Sequence, residues 1–128
     1  FEIVKNGKFS DWCFGVCRPG IDLNDGKSFH FRDDTWMMYQ DNNPSWSLCC
    51  NSNRGNFVDW SIDRELNAGD RVGLLLDLDN GGTLTLYLDG KPCGTIAEGL
   101  VGPLHWCISS YWPGKAARIH TGLEIPPQ

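Results

Sequence analysis

The sequence predicts an all-β sandwich within a single domain. Its 128 residues include fifteen glycines and seven prolines, and these separate short runs in which apolar and polar residues alternate. No window shows a sustained period of about 3.6 residues, so we expect no helix beyond a short turn near residues 64–66. A chain of this length buries roughly two-thirds of its unfolded surface on folding. It therefore needs neither disulfides nor a metal, and we expect two packed antiparallel sheets.

A strand is predicted close to the beginning of the chain, over residues 11–18 (DWCFGVCR). Trp12 and Phe14 lie on this strand, where large aromatic side chains most often belong to the core. Trp60 follows Phe57 and Val58, and we interpret it as a packing residue too.

Residues 69–90 (GDRVGLLLDLDNGGTLTLYLDG) predict two strands and two tight turns. The first strand is apolar on both faces, which predicts burial on both sides. One face carries Val72, Leu74, Leu76 and Leu78, and the other carries Gly73 and Leu75. Asn80-Gly81 supplies the positive φ angles of a hairpin turn, and Gly82 extends it to a loop of about three residues with a bulge.

The second strand of this run shows a clean alternation. We expect one set of side chains to face inward (Leu84, Leu86, Leu88) and the other to face outward (Thr83, Thr85, Tyr87). Asp89-Gly90 then predicts a second hairpin turn.

Segments near the beginning, in the middle and near the end of the chain resemble SPRY domains, the module also found within B30.2 (PRY-SPRY) domains. Residues 1–3 (FEI) resemble the aromatic-Glu-aliphatic strand of the B30.2 pattern. Residues 69–90 resemble the Gly-Asp, Val-Gly, Leu-Asp and Gly-Thr-Leu signature, and residues 11–18 resemble the Trp-x-x-Gly-Val-Cys-Arg strand. Residues 102–109 (GPLHWCIS) resemble the late strand, and residues 122–124 resemble the closing turn. The resemblance covers nearly the whole chain and is weakest from residue 20 to residue 63. It implies a SPRY-type β-sandwich of two antiparallel sheets spanning residues 1–128, without a recognisable PRY segment before Phe1.

Charge and hydropathy argue against several classes of partner and bear on the location of the protein. The net charge of −5, with eleven scattered basic residues, disfavours nucleic acid and anionic membranes as partners. We find no apolar stretch approaching about eighteen residues, no signal peptide, and no usable glycosylation sequon, since Pro44 follows Asn43. We expect an intracellular, cytoplasmic location and a monomeric module within a larger chain.

The six cysteines are interpreted as thiols rather than as a disulfide framework. Cys13, Cys17 and Cys107 fall within predicted strands, where cysteine behaves as a small buried apolar residue. A zinc site is disfavoured because the spacing of Cys13 and Cys17, and the adjacent pair Cys49-Cys50, lack the paired Cys-x-x-Cys pattern. We expect no cofactor and no metal. The pattern does not explain the Cys49-Cys50 pair.

The chain offers no recognisable catalytic constellation. The run from Asp77 to Gly82 resembles a calcium loop at first, but Gly81 and Leu88 stand where an oxygen ligand and a bidentate Glu are required. There is no Gly-x-Ser-x-Gly elbow, no close carboxylate pair of the glycosidase type, and no nucleophile beside any of the three histidines. We therefore expect a protein that is not an enzyme.

Aromatic residues near turn-rich segments are the candidates for binding. They are Trp36, Tyr39, Trp46, Tyr111 and Trp112. Aromatic side chains on loops of a rigid sandwich bury large areas at a small cost in conformational entropy. Each of them could instead merely cover the edge of the sandwich.

The resemblance to SPRY domains implies which of these residues bind a partner. Relatives build a shallow peptide-binding or protein-binding surface from loops at one end of the sandwich. The loop after the late strand corresponds to Tyr111, Trp112, Pro113 and Gly114. Trp36 and Tyr39 suit the aromatic positions of another contributing segment, and Arg18 begins an adjoining loop.

The resemblance therefore implies a non-catalytic module that holds a short peptide or a loop of a partner protein. In a larger chain it would serve as the substrate-recognition part of a ubiquitin ligase or as part of a scaffold. The alternative is a lectin-like sandwich in which a sugar ring stacks on Trp112 or Trp46.

Overall fold

The computed structural model describes residues 1–5, 12–20, 34–40, 45–50, 58–63, 66–110 and 115–124. Every regular element within these ranges is a β-strand, which confirms the predicted all-β fold. The ten strands are β1 (Glu2–Lys5), β2 (Trp12–Cys17), β3 (Thr35–Gln40), β4 (Ser45–Cys50), β5 (Val58–Asp63), β6 (Val72–Asp77), β7 (Thr83–Leu88), β8 (Lys91–Ala97), β9 (His105–Ser110) and β10 (Ala116–Arg118). The predicted helical turn falls partly on residues 64 and 65, which lie outside the described residues.

The strands form three antiparallel groups. A five-stranded sheet has the order β5-β4-β3-β2-β9, a three-stranded sheet has the order β6-β7-β8, and β1 pairs with β10. The order places β9, which comes late in the chain, beside β2, which comes early. The fold therefore depends on pairings between distant parts of the sequence.

The register of the five-stranded sheet gives it two distinct ends. At one end, which we call the Trp12 end, Trp12 pairs with Gln40 and Ser110. At the other, the Cys17 end, Cys17 pairs with Thr35 and His105. Cys17 lies five positions after Trp12, so the two ends are about 17 Å apart at roughly 3.3 Å per residue.

The core lies between the five-stranded and the three-stranded sheet. Alternate residues of β2 and β3 supply one side of it, and alternate residues of β7 supply the other. Its fully buried members include Phe14, Val16, Met38, Trp46, Val72, Leu84 and Leu86. Burying each such side chain contributes roughly 1.5 to 3 kcal/mol. The predicted core positions Trp12 and Phe14 are confirmed, since Trp12 is 3% exposed and Phe14 is fully buried.

The hairpin between β6 and β7 is longer than predicted. Asp77 pairs with Thr83, so the turn spans residues 78–82. The positive φ angles fall on Gly81 and Gly82, at 79° and 65°, and not on Asn80. Asp77 fixes the turn because its Oδ1 accepts hydrogen bonds from the backbone N–H groups of Asp79 and Asn80.

The second hairpin and the faces of β7 follow the prediction more closely. Asp89 and Gly90 both have positive φ, as the predicted turn requires. Leu84, Leu86 and Leu88 are buried as expected. Tyr87, however, is only 3% exposed although it was expected to face outward into solvent. Its Cβ lies 3.2 Å from the position that a Cβ on Gly73 of β6 would take.

β6 is less buried than the sequence predicts. Only Val72 is fully buried, the rest of the strand is half-buried, and Leu78 is 43% exposed in the turn. The sequence pattern overestimated burial because β6 is an end strand among the described strands of its sheet. β7 lies along its whole length on one side, and on the other side Phe1 pairs with Val72 at its beginning.

The outer face of the five-stranded sheet carries a second apolar cluster formed by Cys13, Cys17, Met37 and Cys107. Gly15 lies among them, and a Cβ there would stand 2.8 Å from Met37 Sδ, so the close packing needs glycine. The structure joins Cys17 to Cys107 in a disulfide across β2 and β9. The prediction that all six cysteines are thiols is therefore wrong. Strand alternation predicted the burial of these cysteines but carried no information on which strand lies beside β2.

Candidate functional site

Trp36 and Tyr39 lie within β3 and not in a loop. They are three residues apart, so their side chains point to opposite faces of the strand. Trp36 packs against the core between the sheets, whereas Tyr39 packs against the outer cluster that contains Met37. The two aromatic residues that the resemblance assigns to one pocket are therefore on different sides of the sheet.

Arg18 and Trp36 lie together at the Cys17 end of the sheet. The Arg18 guanidinium carbon stands 5.2 Å from the centre of the Trp36 ring, which is a cation–π contact. Arg18 Nη1 also donates a hydrogen bond to the carbonyl oxygen of Val101. Its backbone N–H donates to the carbonyl of Asp34 at 2.9 Å. The guanidinium is thus held between a strand and a loop that are far apart in sequence.

Two exposed apolar side chains lie on the loops next to the carbonyl that Arg18 binds. Val101 is 66% exposed and Leu78 is 43% exposed. Leu78 Cδ1 lies 3.0 Å from the position that a Cβ on Gly102 would take, so the loop after β6 touches the loop before β9. We call Arg18, Trp36, Leu78 and Val101 the Arg18 surface. Sequence reasoning missed Leu78 because alternation assigned it to the core, and Val101 because an isolated valine carries no signal.

Tyr39, another predicted site residue, lies toward the other end of the sheet. Tyr39 pairs with Cys13, one residue from the Trp12 end. Tyr111, Trp112, Pro113 and Gly114 lie outside the described residues; Ser110, which precedes them, pairs with Trp12. The described strands therefore bring Arg18 and Trp36 together but do not bring them near Tyr39 or Ser110.

Trp46 was expected beside a loop, as a residue on which a sugar ring could stack. It lies in β4 and is fully buried in the core. Its expected role as a surface aromatic residue is wrong. The turn-like residues 41–44 placed Trp46 close to a loop in sequence, but strand alternation directs its side chain inward.

A charged cluster ties β1 to the end of the chain. His120 Nε2 donates a hydrogen bond to Glu2 Oε1 at 2.8 Å, and Arg118 Nη1 lies 3.6 Å from the same oxygen. The hydrogen bond from His120, together with the charges of Arg118 and Arg71, lowers the pKa of Glu2, although partial burial opposes this. The cluster stabilises the carboxylate and resembles a structural ion pair. Nothing in the sequence pattern pointed to it.

The described surfaces carry hydrogen-bond donors and apolar side chains. Within the described ranges, no three His, Cys, Asp or Glu side chains converge in a group that could hold a metal ion. Over the same residues, no helix is both long and apolar enough to cross a bilayer. The Arg18 surface offers guanidinium N–H donors, an aromatic ring and two exposed aliphatic side chains.

A known family model matches nearly the whole chain. The model of the SPRY domain matches residues 1–124 of the 128-residue chain. The match includes all ten strands, the Arg18 surface and the cluster around Glu2.

Proposed function

The chain belongs to the SPRY family, whose domains generally mediate protein interactions, and we propose that it binds a short peptide segment or a loop of a partner protein without catalysing a reaction. In a longer chain, the module would recruit a substrate to a ubiquitin ligase or hold a component of a scaffold. The Arg18 surface is the described feature that supports this proposal most directly.

The Arg18 surface combines the residue types that contribute most to binding energy in protein interfaces. Arginine and tryptophan are enriched among residues whose truncation costs about 2 kcal/mol or more. Here the cation–π contact with Trp36 and the hydrogen bond to Val101 orient the guanidinium before a partner arrives. Preorganisation lowers the entropy lost on binding. The other guanidinium N–H groups can donate to a carboxylate or a backbone carbonyl of the partner.

Apolar contacts would come from Val101 and Leu78. Both are exposed on loops that the sandwich holds rigidly, because the Leu100 N–H donates to the Gly82 carbonyl at 2.9 Å. The partner segment we propose therefore carries an apolar residue next to an acidic or carbonyl group. The overall charge of −5 disfavours a strongly acidic partner, so one acidic group fits better than a run of them.

Tyr111, Trp112, Pro113, Gly114 and Tyr39 remain part of the proposal as a second contact zone. Aromatic residues such as Tyr111 and Trp112 bury large areas at a small cost in conformational entropy, which suits them to anchor a partner.

The test is selection of binders from a displayed peptide library, followed by measurement of their affinity for variants. Arg18→Ala is expected to weaken a selected peptide by roughly thirtyfold or more, equivalent to about 2 kcal/mol. Trp112→Ala is expected to have a similar effect on peptides that use the second zone. Lys91→Ala is the matched control, because Lys91 is an exposed cation on β8. A glycan array tested in parallel separates peptide binding from the lectin-like alternative.

Loss of binding by Arg18→Ala with an unchanged melting temperature supports the proposal. Selected peptides that bind Arg18→Ala and Trp112→Ala as tightly as the unaltered protein would contradict it. Binding only to glycans would favour the lectin-like alternative.

A further inference from the structure

Asp34 lies directly across from Arg18, one position beyond the paired ends of β2 and β3. Cys17 pairs with Thr35 in the sheet, and the Arg18 N–H donates to the Asp34 carbonyl at 2.9 Å. The antiparallel register therefore continues for one more pair of residues. Opposite residues in such a pair share a face, and their Cβ atoms lie about 4.5 to 5.5 Å apart. A cationic and an anionic side chain thus lie side by side at the Cys17 end of the sheet.

In the described part of the chain, these two charged groups do not join in an ion pair. The Arg18 guanidinium lies on the Trp36 ring, with 5.2 Å between its carbon and the ring centre, and it donates to the Val101 carbonyl. Asp34 Oδ1 is buried and has no hydrogen-bond partner among the described residues. The carboxylate therefore lies beside an opposite charge that binds elsewhere.

A buried carboxylate oxygen without a partner is unfavourable, because nothing compensates the water that it has lost. Such atoms are rare in folded proteins and call for an explanation. Asp34 as a whole is half-buried, so solvent screens its charge less than it screens a fully exposed charge. The negative field of Asp34 therefore acts on any group that approaches the guanidinium.

This field affects carboxylates and carbonyl groups differently. A carboxylate of a partner is attracted by Arg18 and repelled by Asp34, whereas an uncharged carbonyl accepts the same guanidinium hydrogen bonds with little repulsion. Repulsion between like charges is a general way of rejecting unsuitable partners. The net charge of −5 on the chain acts in the same direction.

We propose that Asp34 determines the specificity of the Arg18 surface, so that Arg18 binds an uncharged carbonyl in preference to a carboxylate or another anion. The inference rests on the proposed function, because it concerns the chemistry of the group that meets Arg18. It narrows the partner to a segment whose apolar residue lies next to a backbone carbonyl or a side-chain amide. Asp34 acts through Arg18 and is a positioning residue rather than a contact of the partner.

The first measurement needs no peptide. NMR follows the Arg18 Nε–H signal while inorganic phosphate is added, at constant ionic strength, to the unaltered protein and to Asp34→Asn protein. Asparagine keeps the shape of the side chain and the backbone carbonyl but removes the charge. Asp34→Asn protein is expected to bind phosphate at Arg18 roughly tenfold more tightly than the unaltered protein. Glu124→Gln is the matched control, since it removes the same charge from an exposed residue outside the Arg18 surface.

The second measurement compares two peptides that differ in one charge, acetyl-Gly-Leu-Gln-Gly-amide and acetyl-Gly-Leu-Glu-Gly-amide. The side-chain NMR signals of Arg18 and Trp36 report the binding of each. The unaltered protein is expected to bind the glutamine peptide more tightly. Asp34→Asn is expected to strengthen binding of the glutamate peptide by roughly tenfold and to leave the glutamine peptide nearly unchanged. Melting temperatures show whether each variant is folded.

Two results would overturn the inference. One is equal phosphate affinity at Arg18 for Asp34→Asn protein and unaltered protein, including the case in which neither binds. The other is an equal change in the affinities of both peptides, which would show that Asp34 only supports the fold. Tighter phosphate binding by Asp34→Asn protein without binding of either peptide would support the charge selectivity and count against the peptide site, so the two proposals fail in different ways.

Discussion

Replacement of Gly82 by alanine would test how the turn after β6 supports the Arg18 surface. Gly82 has a φ of 65°, a region that costs a residue with a Cβ about 1 to 2 kcal/mol. A Cβ on Gly82 would also collide with the backbone of Leu100, including its carbonyl carbon at 2.8 Å. Because the obstacle is backbone, it cannot rotate away, and such overpacking adds about 1 to 3 kcal/mol. We expect Gly82→Ala to lower the free energy of unfolding by roughly 2 to 5 kcal/mol.

Gly81 provides the matched control. It also has a positive φ, 79°, but nothing lies within 4 Å of the position of its missing Cβ. Gly81→Ala should therefore cost only the conformational term of about 1 to 2 kcal/mol. Urea unfolding of the two variants measures the difference, which isolates the contact with Leu100. Equal midpoints for the two variants, with equal slopes, would refute this reasoning.

The same substitution has a consequence for binding. Leu100 precedes Val101, whose carbonyl accepts the hydrogen bond from Arg18. Displacing Leu100 would move both the exposed Val101 side chain and the acceptor that orients the guanidinium. Gly82→Ala protein that remains folded is therefore expected to bind a selected peptide more weakly than Gly81→Ala protein.

Three further predictions concern the disulfide, the pH dependence and the core. Alkylation under denaturing conditions is expected to modify at least two more thiols after reduction than before it, because Cys17 and Cys107 are joined; equal numbers would contradict the disulfide. The pKa of Glu2 is lower in the folded protein than its value of 4.5 in the unfolded chain. The ionised Glu2 therefore stabilises the fold at a pH above 4.5, and this contribution is lost as the pH falls through the pKa of the folded protein. When the pH is lowered below 4.5, the free energy of unfolding should fall less for Glu2→Gln protein than for the unaltered protein, as measured by chemical unfolding at each pH. An equal fall for both proteins would contradict the stabilising role of the Glu2 carboxylate. Leu86→Ala should cost about 2 to 5 kcal/mol and Thr85→Ala far less, since Leu86 is fully buried and Thr85 faces the other side of β7; equal urea midpoints would contradict the assigned faces.

Strands with strong local patterns could be predicted from the sequence. The inward-facing leucines of β7 and the Asp89-Gly90 turn depend on residues next to each other in the chain, and the structure confirms both. The expected exposure of Tyr87 is wrong, because Tyr87 lies against Gly73 of β6. The first turn was predicted one residue too early, because an Asn-Gly pair indicates a turn without fixing which residues take positive φ. Here the side chain of Asp77 holds Asn80 in ordinary backbone geometry, and the two glycines after it absorb the positive angles.

The arrangement of the binding residues could not be predicted, because it depends on strand register. Sequence proximity to turns suggested that Trp36 and Tyr39 were loop residues, but β3 continues through both of them. Their spacing of three then sends them to opposite faces. The contact of Arg18 with Val101 joins residues 83 positions apart, and no local pattern reports such a pairing.

The disulfide has the same origin. Cys17 and Cys107 are 90 residues apart and meet only because β9 pairs with β2. The positions of β6 and β9 as end strands among the described strands also depend on topology. Local alternation cannot show which strands lie at an edge.

Affinity of a library-selected peptide for Arg18→Ala protein, compared with Lys91→Ala protein, tests the central proposal most directly. Isothermal calorimetry gives both affinities, and thermal unfolding shows whether each variant is folded. The proposal that the Arg18 surface is a peptide site predicts a loss of roughly thirtyfold for Arg18→Ala, no change for Lys91→Ala, and nearly unchanged melting temperatures. Equal affinity of both variants for every selected peptide would contradict it.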